Sequence, residues 1–104
     1  MGWFTAGRVT NPGKAAILAD TGPMLATTLA VTVLAWVERE PATIEIAQRD
    51  AGNLTDVNVQ TLSVDPAQSA ETTFTATLQV NQRIVARCTQ GLDISGDIHV
   101  SIFA

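Results

Sequence analysis

The sequence predicts an all-β domain, a sandwich or a barrel. Two observations carry this. Turn signals punctuate the whole chain: Asn11-Pro12-Gly13, Asp20-Thr21-Gly22-Pro23, Glu40-Pro41, Asp50-Ala51-Gly52-Asn53, Asp65-Pro66, Asn81-Gln82, Gln90-Gly91 and Ser95-Gly96. Proline presets one backbone angle and glycine allows positive φ, so these clusters reverse the chain at little cost. Between them lie short runs rich in Val, Ile, Thr and Phe, in which apolar and polar residues alternate as a strand requires.

Residues 1–14 stand apart. They hold Trp3 and Phe4, show no clear period and end in a Pro-Gly turn. We read them as an N-terminal arm preceding a β-domain at 15–104. Such an arm either anchors elsewhere through its aromatics or lies over its own domain and covers a sheet edge. The run Leu25 to Val37 fits helical spacing at Leu25, Leu29, Val33 and Trp36. Six of its thirteen residues are Val or Thr, however, which favours a strand. As a strand it is apolar on both faces, with Leu29, Val31, Val33 and Val37 on one and Leu34 and Trp36 on the other. One face is core, and the other needs cover, for which a subunit contact is expected. Further on, Ile44 and Ile46 alternate with Thr43, Glu45 and Arg49. Phe74, Ala76, Leu78 and Val80 alternate with Thr73, Thr75, Thr77 and Gln79. Ile84, Ala86 and Cys88 alternate with Arg83, Val85 and Arg87, and Ile98, Val100 and Ile102 with Asp97, His99 and Ser101. The first-named set of each is expected on the core face.

Composition narrows the function. The chain has 104 residues, enough for one domain with a real core. Charged residues make up 15% and hydrophobic ones 46%, so the surface is under-charged against the usual quarter or so. Either a partner covers part of it, or Thr, Gln, Asn and Ser coat it. Net charge is −4, with Lys14 the single lysine and no basic cluster, which argues against nucleic acid. The apolar stretch Met24 to Val37 is too short and too rich in threonine for a membrane helix and reads as part of the fold. The one cysteine, Cys88, cannot form an internal disulfide and reads as a buried small hydrophobe.

The catalytic inventory is thin. His99 is the only histidine, so one chain cannot build a two-histidine metal site. It falls on the polar face of the last strand, as a solvated or interfacial residue rather than a general base. Glu38 with Glu40, and Asp93 with Asp97, read as solvated charge near strand ends, because no calcium-loop motif accompanies them. No phosphate loop, dinucleotide fingerprint or Cys-x-x-Cys occurs. No enzyme, no cofactor and no metal are therefore expected. Arg83 and Arg87 share one side of a strand, where each can hold a carboxylate on a neighbouring strand or on another subunit. Trp36 is a possible sugar-stacking platform, although aromatics serve cores and interfaces more often.

The segments Ala6-Gly7-Arg8-Val9-Thr10-Asn11-Pro12 and Leu18-Ala19-Asp20-Thr21-Gly22 resemble small virion structural proteins of tailed bacteriophages. So does Ile44-Glu45-Ile46-Ala47-Gln48-Arg49-Asp50-Ala51-Gly52-Asn53, standing where such proteins carry a Gln-His-Arg-Asn-Ala type segment. Ala47 departs from the more polar residue of that pattern. Val80-Asn81-Gln82-Arg83-Ile84 and the strand from Gly96 to Phe103 fit as well. The resemblance implies a compact antiparallel β-sandwich, jelly-roll-like, that joins as a homotrimer. It implies a role in decorating or cementing the head shell, or in a fibre or tail.

Together these readings lead to a capsid decoration protein on the outer surface of the head, assembled in the host cytoplasm. Its partners would be its own copies and the major capsid protein, with no nucleic acid and no membrane. Trp3 and Phe4 are expected to dock on the shell, and Val31, Val33, Trp36, Arg83 and Arg87 to form subunit contacts. The alternative is a fibre or spike module that binds a host receptor or glycan, with the loop from Asp50 to Asp56 as its candidate site.

Overall fold

The computed structural model describes residues 2–13, 16–50, 52, 55–88 and 95–104. Eight strands follow one another: β1 (Trp3–Thr10), β2 (Ile17–Asp20), β3 (Thr27–Val37), β4 (Ala42–Arg49), β5 (Asp56–Val64), β6 (Ser69–Leu78), β7 (Arg83–Cys88) and β8 (Asp97–Phe103). They form two four-stranded sheets, ordered β1-β8-β3-β6 and β2-β7-β4-β5. Every pairing of these strands is antiparallel. Only β4 and β5 are consecutive strands paired in one sheet; the other connections cross between sheets. Eight strands wound this way make a jelly roll, the β-sandwich expected from the sequence.

The core lies between the sheets. Its largest fully buried side chains include Leu18, Ile44, Ile46, Leu78, Ile84, Ile98 and Ile102. The alternation predicted for β4, β7 and β8 holds, and in β6 it holds through Ala76 and Leu78. Val80 departs from it. It lies beyond the end of β6, in a turn, and is 65% exposed. Val85 is buried although its parity places it on the outer face, between Arg83 and Arg87 along β7.

Two expectations change. Residues 3–10 do not stand apart as an arm that anchors elsewhere; of the two readings they take the second, lying over their own domain as the edge strand of the first sheet. β1 pairs with β8 from Trp3↔Phe103 to Thr10↔Asp97, and Gly2 and Ala104 exchange backbone hydrogen bonds of 3.0 and 3.2 Å. The missing period has a physical cause: the register shifts between Thr5 and Arg8, so alternation breaks inside the strand. Ahead of that shift, alternation points Trp3 outward, whereas Phe4, opposite the buried Ile102, packs against the core and is not free to dock on a shell. Secondly, Val31 and Val33 are both 0% exposed within the single chain, so neither can form a subunit contact. They belong with Val37 to the inward side of β3, and Leu34 and Trp36 take the outward side, half-buried.

A polar group also ties the sheets together. Gln48 is only 4% exposed. Its Nε2 donates to the Thr77 carbonyl at 2.8 Å, and its Oε1 accepts from Asn58 Nδ2 at 2.9 Å. That links β4 and β5 of one sheet to β6 of the other. A register shift between Ile46 and Gln48 accompanies it, and Asn58 has a φ of 52°.

Candidate functional site

The outer face of the β1-β8-β3-β6 sheet carries an aromatic site at the C-terminal end of β3. Trp36 lies directly opposite His99 in the β3–β8 register. Their ring centroids are 5.5 Å apart with planes at 86°, so the imidazole meets the indole edge to face. Alternation sends both side chains outward, because their neighbours Ala35, Val37, Ile98 and Val100 all point into the core.

Glu38 and Asp97 complete the site. The Glu38 N–H donates to the Asp97 carbonyl at 2.9 Å, and the Asp97 N–H returns a bond of 3.1 Å to Glu38 Oε1. Thr10 Oγ1 donates to Asp97 Oδ1 at 2.6 Å, which ties the carboxylate to β1. Gly96 sits beneath, with a φ of 87° and its N–H on Asn11 Oδ1 at 2.7 Å. A Cβ added there would come within 2.7 Å of Glu38 Oε1, so glycine lets the two segments approach. Trp36, Glu38, Asp97 and His99 line an open pocket of about 440 Å³.

This arrangement offers a flat indole beside two carboxylates and an imidazole. An indole face takes up the apolar face of a ring-shaped ligand, and carboxylate and imidazole atoms exchange hydrogen bonds with its hydroxyls. Among the described residues no group of three His, Cys, Asp or Glu side chains is placed to hold a metal ion.

The other singled-out residues lie elsewhere. Trp3 is 54% exposed and leans on Phe103, with ring centroids 5.0 Å apart at 57°. Arg83 and Arg87 are on the outer face of the second sheet, paired within the chain: Arg83 Nη1 with Asp20 Oδ2 at 3.1 Å, and Arg87 with Glu45 at 3.5 Å and with Asp56. Asp56 also takes a two-point bond from Arg49, at 2.8 and 3.1 Å. The cross-strand reading of these arginines is thus the one the structure adopts. Cys88 is fully buried, and burial raises its thiol above the ordinary value of 9.0.

In the loop from Asp50 to Asp56, Ala51, Asn53 and Leu54 lie outside the described residues. Asp50 accepts from the Gly52 N–H at 2.9 Å, and Asp56 is committed to its arginines. Asp93 also lies outside the described residues, whereas Asp97 pairs with the segment of Glu38. Sequence reading picked out Trp36 but did not join it to Glu38, Asp97 and His99. The shared outward parity of Trp36 on β3, and of Asp97 and His99 on β8, was the available signal. It leads to a site only once β3 and β8 are known to be neighbours.

The fold is a β-sandwich that resembles those of carbohydrate-binding modules. Solved structures with this architecture include one described as "CBM4 structure and function", with a TM-score of 0.62 and 19% identity, covering 89% of this chain and 64% of that one. A CBM35 from Cellvibrio japonicus Abf62 matches with a TM-score of 0.59 and 12% identity over 92% of this chain and 70% of that one. The isomalto-dextranase of Arthrobacter globiformis T6, complexed with panose, matches at 0.51 and 14% over 88% of this chain and 17% of that one. The chain thus spans a little under two thirds of the first of these. At such identities the likeness is one of fold. No protein-family model and no curated protein sequence matches the chain.

Proposed function

We propose that this domain is a non-catalytic binding module that takes a glycan on the Trp36 face. One observation carries the reading: a half-exposed indole held edge-on by His99, with Glu38 and Asp97 beside it in an open pocket. Stacking on Trp36 would supply most of the affinity, and the polar rim would select hydroxyl geometry. The sandwich shared with carbohydrate-binding modules supports this reading at the level of fold. A receptor- or glycan-binding module of a phage fibre or spike is compatible with it.

A second reading is favoured by a different surface. Leu25 and Val80 are 80% and 65% exposed, at the opposite end of β3 from Trp36. They sit in loops joined by bonds from Met24 N–H to the Gln82 carbonyl and from Asn81 N–H to the Met24 carbonyl, both 2.9 Å. An exposed apolar tip of this kind supports assembly with other copies or with a shell. In that reading the domain is a homotrimeric decoration protein bound to the major capsid protein on the outside of a phage head.

The deciding experiment is a glycan array probed with the labelled protein and with Trp36→Ala, with mass recorded by light scattering. Glycan binding that is lost in Trp36→Ala supports the first reading. A trimer that binds no glycan but saturates shells lacking it supports the second.

A further inference from the structure

The outer face of the first sheet holds a second aromatic platform, and its position bears on the length of the ligand. Trp3 and Phe103 lie on the same face as Trp36 and His99. Phe103 is opposite Thr32, and His99 opposite Trp36, in one β3–β8 register. Phe103 is four positions beyond His99 along β8, a span of roughly 13 Å. Ser101 and Leu34, paired across the strands and both half-exposed, form the floor between them. Trp3 is among the most exposed large apolar side chains of the described residues, yet Phe103 holds it in place. A ring fixed by a neighbour loses little entropy when a ligand stacks on it.

We infer that Trp3, braced by Phe103, is a second stacking subsite, and that the ligand is a linear oligosaccharide laid along β8 from Trp36 to Trp3. The inference rests on the glycan reading of the Trp36 site and extends it. Trp36 and Trp3 are also two strand spacings apart across β8, which makes their backbone separation roughly 16 Å, more than the length of a disaccharide, whereas a longer chain spans it. The floor bears a hydroxyl and an apolar side chain, which suits a sugar chain with alternating polar edges and apolar faces.

The chain has two tryptophans, so each platform can be read by fluorescence. The probes are β-1,4- and α-1,6-linked glucose oligomers, from disaccharide to hexasaccharide. In Trp36→Phe, which keeps a stacking ring, emission from Trp3 should shift to the blue with the hexasaccharide and stay unchanged with the disaccharide. Trp3→Ala should weaken hexasaccharide binding about tenfold by calorimetry and leave disaccharide binding unaltered. Equal affinity for all lengths, with Trp3→Ala neutral and Trp36→Ala inactive, would overturn the second subsite and leave the Trp36 site standing. Binding of neither oligomer series to the wild type would overturn both. If Trp3→Ala instead lowers the mass in solution with sugar affinity intact, Trp3 is a contact between copies and the subsite is wrong.

Discussion

Gln48 shows how one polar residue can hold two sheets. Its amide donates across the sandwich to Thr77 and accepts from Asn58, at a position where only 4% of the residue is exposed. Gln82 approaches the same Nε2 at 3.5 Å. Truncation would remove the part-buried bonds to the Thr77 carbonyl and from the Asn58 amide, and each such bond contributes about 1 kcal/mol. Gln48→Ala should therefore lower unfolding stability by about 2 kcal/mol, read as a fall in urea midpoint at constant slope. An unchanged midpoint would mean that water takes over both bonds. The residue lies beside Ala47, which departs from the phage-protein pattern. Ala47 is 1% exposed and lies opposite Val85, on the face that bears Arg83 and Arg87.

Strand β1 turns on a single irregularity. The register shift between Thr5 and Arg8 erases the period that marks the other strands, while ahead of it ordinary alternation sends two adjacent aromatics to opposite faces. Phe4, opposite Ile102, packs on the core; Trp3, opposite Phe103, stays outside. Substitution should divide them the same way. Phe4→Ala should cost about 2 kcal/mol, below the range for a fully buried ring because Phe4 is only half-buried. Trp3→Ala should change stability by less than about 1 kcal/mol. Urea melts of the two variants test this, and a larger loss at Trp3 would show that its contact with Phe103 is mainly structural. β3 divides its residues in the same manner: Val31 and Val33 serve the core, and Trp36 serves the surface.

At the scale of the molecule, the order of the strands governs how the fold is lost. Because most connections cross from one sheet to the other, neither sheet can form from a continuous stretch of chain. The ends meet as well, through the bonds between Gly2 and Ala104. Unfolding should then be a single cooperative event. Far-ultraviolet circular dichroism and tryptophan fluorescence should give superimposable denaturation curves. Trp36 and Trp3 both sit on the first sheet, so an earlier fluorescence transition would show that sheet coming apart first. Refolding should be slow for the size, in milliseconds to seconds, since its pairings join residues far apart in the chain.

Much of this architecture is legible in the residues alone. Alternation at Ile44 and Ile46, at Ile84, Ala86 and Cys88, and at Ile98, Val100 and Ile102 marks strands and their buried sides, because a pleated strand sends successive side chains to opposite faces. Turn clusters mark where the strands end. Of the site, Trp36 is legible as a possible platform. Its partners are not, since Glu38 and Asp97 are 59 residues apart and meet only because β8 lies beside β3. Alternation is the same whichever strand is the neighbour, so it determines which side chains are buried and not which ones meet. Whether Val33 or Trp36 faces the core, which acid Arg87 finds, and how Trp3 comes to share a face with Trp36 were decided by strand order and register. Those depend on packing the two sheets together, which no local stretch of the sequence encodes.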